Sequence, residues 1–277
     1  MTKTFVLEKY KDLEQLPIFE NLEDQNFLLQ KIEENIYIPV SRVAKWQDFI
    51  AIAEEDTFIK NENLIYRGHQ DPKWNLIPTL KRTHSKLENK DIINLLNTFK
   101  NALKGIEHYE LHDLEHLNEN QLWALGRHYG LPTPIIDWTY NAKIALYFAF
   151  ENRANLHPYH SVYILDTKKI YDSNIVHFDN RPHQNEREKL QKGCYTRTRN
   201  YQNIEQLITD DKNNHVYFRK LYIKKNSPQE CLNALEIENI SKLFLYPKSI
   251  EGVVEYCKTK IPSPYEYQGQ IMTIRFV

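Results

Sequence analysis

The sequence predicts a mixed α+β fold, and three observations predict it. Segments with the period of an amphipathic helix are interspersed with short β-branched and aromatic runs, without the regular strand–helix–strand rhythm of a parallel sheet. The 277 residues are 41% hydrophobic and 26% charged, which supplies a real core and excludes global disorder and fibrous repeats. No apolar run approaches the ~20 residues that a membrane-spanning helix needs.

The elements follow in order. Residues 1–36 carry four Lys against eight Asp and Glu, so residues 1–39 are expected to be an acidic N-terminal extension, with a short helix around Asp24–Glu34. After Pro39, Ser41 is expected to cap a helix in which Val43, Trp46, Ile50 and Ala53 fall on one face. Leu64–Tyr66 is a short strand that runs into Arg67-Gly68. Ile92–Leu103 and Glu119–His128 are amphipathic helices, the second ending near Gly130. Pro132 and Pro134 delay any helix, leaving Ile135–Trp138 as a buried strand. Thr139 or Asn141 then caps a helix over Ala142–Asn152, where Ala142, Ala145 and Ala149 form a small-residue face that permits close packing on a sheet. Ser161–Leu165, Cys194–Thr198 and Val216–Ile223 are strands, and Ser227-Pro228 and Ser249 each open a helix. Residues 261–277 form a C-terminal tail in which Ile271–Phe276 alternates like an edge strand.

Cys194, Cys231 and Cys257 are widely spaced and contain no CxxC, which argues against a disulfide framework and a structural zinc site and for a reducing cytoplasm. The eleven His form no HExxH or comparable cluster, so no metal is predicted. The N-terminus lacks the pattern of a secretory signal. A P-loop, a Rossmann glycine motif and a G-x-S-x-G elbow are absent from the sequence.

Of the seven glycines, Gly68, Gly126, Gly130, Gly193 and Gly252 fall inside polar motifs. LIYRGH (64–69) precedes Trp74-x-Leu76-x-Pro78-x-Leu80-x-Arg82. LGRHYGLPTPIIDWTYNAKIALYFAF occupies 125–150, NEREKLQKGCYT 185–196, and LFLYPKSIEGVVEY 243–256. Together and in this order they resemble the FRG domain, a bacterial family named for its (F/Y)RG motif. The resemblance spans roughly residues 40–257, giving an FRG domain over 40–260. Arg127 and Pro134 depart from the family pattern.

A more distant resemblance is to ADP-ribosyltransferases. There an Arg on a first strand, a hydroxyl-bearing strand leading into a helix, and an acidic or amide residue on a later strand surround NAD. Arg67, Asp137-Trp138-Thr139 and Gln191 occur in that order. An arginine fork offers two parallel donors to phosphate or ribose oxygens, and Gly68 beside it would let a ligand approach the backbone. Gln191 stands where such transferases use a carboxylate, and Glu186 and Glu188 are near it in sequence. These resemblances imply catalytic roles for Arg67, Asp137, Gln191 and His128, and ligand contacts at Gly68, Tyr129, Thr139 and Arg187. They imply NAD as substrate and an ADP-ribosyltransferase-like or glycohydrolase activity in a bacterial toxin or phage-defence setting.

Structural alternatives stand beside each assignment. Arg67 and Asp137 form a strand-tying ion pair, His128 hydrogen-bonds at a helix end, and Asp137 with Thr139 caps the following helix. Trp138, Tyr147 and Phe148 read as core. Residues 181–225 hold eleven Lys and Arg against five Asp and Glu, interleaved with tyrosines. That composition fits either a nucleic-acid-binding face or a charged strand edge. The alternative function is therefore a non-catalytic nucleotide- or nucleic-acid-binding module.

Overall fold

The computed structural model describes residues 4–7, 9–55, 58, 61–106, 114–151, 157–170, 174–181, 185–246 and 257. Among the described residues the frame is a single mixed sheet of nine strands: β1 (Thr4–Val6), β2 (Leu28–Glu33), β3 (Ile36–Val43), β4 (Leu64–His69), β5 (Ile136–Thr139), β6 (Tyr159–Asp166), β7 (Ile175–Phe178), β8 (Gly193–Thr198) and β9 (Phe218–Lys224). They lie side by side in the order β1-β2-β3-β9-β6-β4-β5-β8-β7. The fold is α+β.

Period-two alternation sorts side chains between the two faces of the sheet. Leu64 and Tyr66 of β4 join one core with Trp46, Phe49, Ala145, Ala149 and Phe150, under the helices Trp46–Glu54, Ala142–Phe150 and Pro228–Ile237. Ile65 joins the other, with Leu13, Leu16, Ile38, Val40, Tyr163 and Phe218, under the helix Ile204–Asp210. A third cluster ties the helices Asn89–Leu103 and Glu119–His128 to Tyr195 of β8. Among the described residues, no helix is long and apolar enough to cross a membrane.

The interior helices and strands that the sequence predicts lie within a few residues of their expected places, while β7 and the helices Thr79–Thr83, Glu186–Leu190, Ile204–Asp210 and Lys242–Leu245 were not foreseen. Three local readings differ. The stretch expected as a helix around Asp24–Glu34 is the strand β2, because Asn35 takes a left-handed turn (φ 61°) that folds Leu28–Glu33 back against β3 as a hairpin. Ser41 is no helix cap; it lies buried on β3, donates to the Asn26 carbonyl and accepts from Arg219, and the helix begins only at Trp46. The strand expected from Val216 begins at Phe218, after a tight turn over Asn214–Val216.

The described part of the acidic segment 1–39 is built into the sheet: it supplies β1, β2 and the first half of β3, and Leu13, Leu16 and Phe19 are buried. The helix expected after Ser249, Gly252 and the tail 261–277 lie outside the described residues.

Candidate functional site

A cleft of about 830 Å³ opens where β4, β5 and the start of β8 meet. Arg67, Asp137, Thr139 and Gln191, from three distant stretches of chain, all border it. So do Gly68, His128 and Arg187. Tyr129 does not: it is 57% exposed beyond the end of the Glu119–His128 helix, edge-on to His128 with ring centroids 4.9 Å apart.

The centre of the cleft is a carboxylate between two guanidinium groups. Arg127 donates through Nε at 3.2 Å to both Asp137 carboxyl oxygens and through a terminal nitrogen at 2.8 Å. Arg67 lies 3.5 Å from the same carboxylate and donates at 2.6 Å to the Asp137 carbonyl. Burial opposes the charge on Asp137, and Arg127 and Arg67 more than offset it, so the carboxyl titrates below its ordinary range. The strand-tying reading of Arg67 is thus realised in geometry, with Arg127 as the stronger partner. Sequence reasoning set Arg127 aside as a family departure. Its ten-residue separation from Asp137 carries no helical or strand period that would have paired them.

The second-row contacts fix Arg67 further. Its Nε donates at 2.9 Å to His69 Nε2, which places the ring proton of His69 on Nδ1, facing the Trp74 carbonyl at 3.3 Å. Burial, with Arg67 nearby, holds His69 well below the ordinary histidine range, so it is neutral.

Gly68 has a different reason from the one its sequence suggests. A Cβ there would come within 1.9 Å of the Ala145 carbonyl and 2.8 Å of the Ala149 nitrogen. The missing side chain lets the alanine face of the Ala142–Phe150 helix lie on β4, while the Gly68 backbone borders the cleft from the other side.

Thr139 spends its hydroxyl inside the fold: it donates at 2.7 Å to the Gln191 carbonyl and accepts from the Asn141 backbone. Asn141 caps the following helix, accepting from Lys143 and Ile144, so capping falls to neither Asp137 nor Thr139. Gln191 ends the short helix Glu186–Leu190 rather than standing on a strand, and its amide donates at 3.1 Å to the Leu245 carbonyl. Trp138 and Tyr147 are core, as expected.

Charge decides what the cleft attracts. It is bordered by Arg67, Arg82, Arg127, Arg187 and Lys73 against Asp137, Glu151 and Glu188. Glu188 is buried and accepts from the Tyr195 hydroxyl. Glu151, just past the Ala142–Phe150 helix, is raised above the ordinary range by burial. The excess of cations in a concave, partly dry space suits an anion, and guanidinium forks suit phosphate. Among the described residues, no group of His, Cys, Asp or Glu is placed to hold a metal.

The basic stretch 181–225 does not form one face. β9 is an inner strand, so Arg219 (0% exposed) and Lys220 (1%) turn inward with Tyr217, Phe218 and Tyr222. Arg219 is held by Asp24 and Ser41, sequestered from any partner. Seven of the eleven Lys and Arg in this stretch stay exposed, whereas the interleaved Tyr195, Tyr217, Phe218 and Tyr222 are buried, so the aromatic half of that composition is interior.

Residues 62–157 match the family model of the FRG domain. The span contains Arg67, His128, Asp137 and Thr139; Arg187 and Gln191 lie beyond it. No curated protein and no solved structure matches the chain.

Proposed function

We propose that this FRG-domain protein binds a nucleotide in the cleft, NAD foremost, and acts on it as an ADP-ribosyltransferase-like enzyme or glycohydrolase. The bacterial toxin or phage-defence setting follows from the resemblance to the FRG family. The observation that supports the reading is convergence: Arg67, Asp137 and Gln191 border one cleft, whose lining holds five cations and three carboxylates with Arg67 and Asp137 included.

In such a reaction the nicotinamide–ribose bond breaks, nicotinamide leaves with the electron pair, and water or an acceptor hydroxyl adds to the anomeric carbon. The arginines hold the phosphates, and a carboxylate stabilises the developing positive charge and takes the nucleophile's proton. Asp137 is locked by two arginines, so that role falls to Glu151, which supplies the carboxylate that position 191 lacks. Calorimetric titration with NAD, paired with a nicotinamide-release assay, tests this. Saturable binding with release is expected, and no binding of NAD or any other nucleotide overturns it.

A second reading, a nucleotide-binding module without catalysis, is favoured by Gln191, whose amide is engaged on the Leu245 carbonyl and not turned to a ligand. Binding without release would select it.

A further inference from the structure

Trp74 is the exposed tryptophan of this chain. Trp46, Trp123 and Trp138 are 7%, 0% and 3% exposed, whereas Trp74 is 51% exposed at the border of the cleft. Leaving so large an apolar side chain in water forgoes the stabilisation its burial would bring. A flexible loop would let it fold away, yet its backbone is held. Three side chains from three neighbouring strands converge on the Trp74 carbonyl: His69 of β4 at 3.3 Å, Tyr163 of β6 at 2.9 Å and Lys220 of β9 at 3.3 Å. The Trp74 nitrogen donates to the Asp71 carbonyl, and Leu76, two residues on, is buried in the core.

The tripod is costly to build, since it includes a fully buried lysine. Burial depresses Lys220, and Glu205 nearby supports its charge. His69, one foot of the tripod, also receives the Arg67 guanidinium, so the arginine at the cleft centre and the indole at its border are fixed by the same ring. The His69 and Trp74 rings meet edge-on at 5.9 Å, which sets the angle of the indole and leaves its outer face open. Lys73 and Arg82, near Trp74 in sequence, border the same cleft.

An aromatic plane on a rigid backbone beside an electropositive cleft is the arrangement that stacks a planar ring while cations hold its phosphates. We propose that the Trp74 indole is the wall on which the ring of the ligand stacks, which selects a ring-bearing nucleotide over a ringless phosphate or pyrophosphate. This rests on the nucleotide reading of the cleft.

The test is calorimetric titration of the wild-type chain, Trp74→Phe and Trp74→Ala with NAD and, separately, with inorganic pyrophosphate, each variant first shown by its melt to be folded. NAD binding is expected to weaken about ten- to hundredfold in Trp74→Ala and by less in Trp74→Phe, with pyrophosphate binding the same in all three. Acrylamide quenching of wild-type tryptophan fluorescence should fall on saturation with NAD and not with pyrophosphate. NAD binding as tight in Trp74→Ala as in wild type overturns the stacking wall alone. Wild-type binding of pyrophosphate without NAD overturns the wall and leaves an anion cleft. Binding of neither overturns the nucleotide reading and the wall together.

Discussion

At the scale of the residue, the cleft turns on Asp137, because it is the carboxylate that two arginines share. Replacing it with Asn leaves Arg67 and Arg127 facing each other with no counter-charge. Since the Asp137 side chain is 39% exposed, the expected loss is about 1–3 kcal/mol, below the ~3–5 kcal/mol of a fully buried pair, read from urea unfolding. The same substitution should flatten the acid limb of the stability profile. A carboxyl whose folded titration is depressed contributes stability above its unfolded pKa, lost as pH falls through the folded one. His160 acts at higher pH. It is buried against Phe150, donates through Nδ1 to the Gln70 carbonyl at 2.8 Å, and burial pushes it down to about 4. The unfolded chain takes up that proton from about pH 6.5, so stability should fall between pH 6.5 and 4 by about 3 kcal/mol, a slope that His160→Gln removes. Glu151→Gln should keep NAD binding and lower nicotinamide release by about 100-fold or more. Arg67 and Asp137 were legible because each sits in a conspicuous motif. Arg127, Glu151 and Trp74 were not read as partners of that site, because their pairing exists only once helix ends and loops converge.

At the scale of the element, the contact between β4 and the Ala142–Phe150 helix decides whether the site can form. Gly68 and the alanine face let the helix backbone touch the strand, and Arg67 and His69 point to the opposite side. Gly68→Ala would drive a methyl group into the Ala145 carbonyl and the Ala149 nitrogen, both backbone atoms that no rotamer change can move. A destabilisation of about 3 kcal/mol or more is expected in thermal or urea melts, with an ordinary surface Gly105→Ala as control, since nothing lies within 4 Å there. The alanine spacing was visible in the sequence, and so was the helix it belongs to. The glycine was visible too, but its contact with the helix was not, because a sequence does not say which side of a strand is crowded. β2 was misread for a related reason: Leu28–Glu33 has weak periodicity, and its strand character comes from the partner that Asn35 turns back onto it.

At the scale of the whole molecule, the sheet makes one body of what charge composition divides. Arg219 of β9 is fully buried, and its counter-ion is Asp24 at 3.4 Å, in the acidic segment ahead of β2. Asp24→Ala should therefore cost about 3–5 kcal/mol, since it strands a buried guanidinium, and removal of residues 1–39 should give an insoluble or unfolded chain by circular dichroism and sedimentation. A well-folded truncated chain would show that the rest of the sheet stands without β1, β2 and the first half of β3, and that Arg219 tolerates the loss of Asp24. The mixed fold class was legible from interspersed periods, whereas the order of strands was not, because the pairings that set it join distant parts of the chain. The pairing of β3 with β9 also has a consequence during synthesis. Val40 lies in parallel register with Lys220, so the earliest strands made must wait for nearly the last. At ~5–20 residues per second that interval is on the order of ten seconds or more, with Ile38, Val40 and the unpaired edge of β3 in water. The excess of acidic over basic residues in the first 36 positions gives such waiting chains like charges, which oppose edge-to-edge pairing between them.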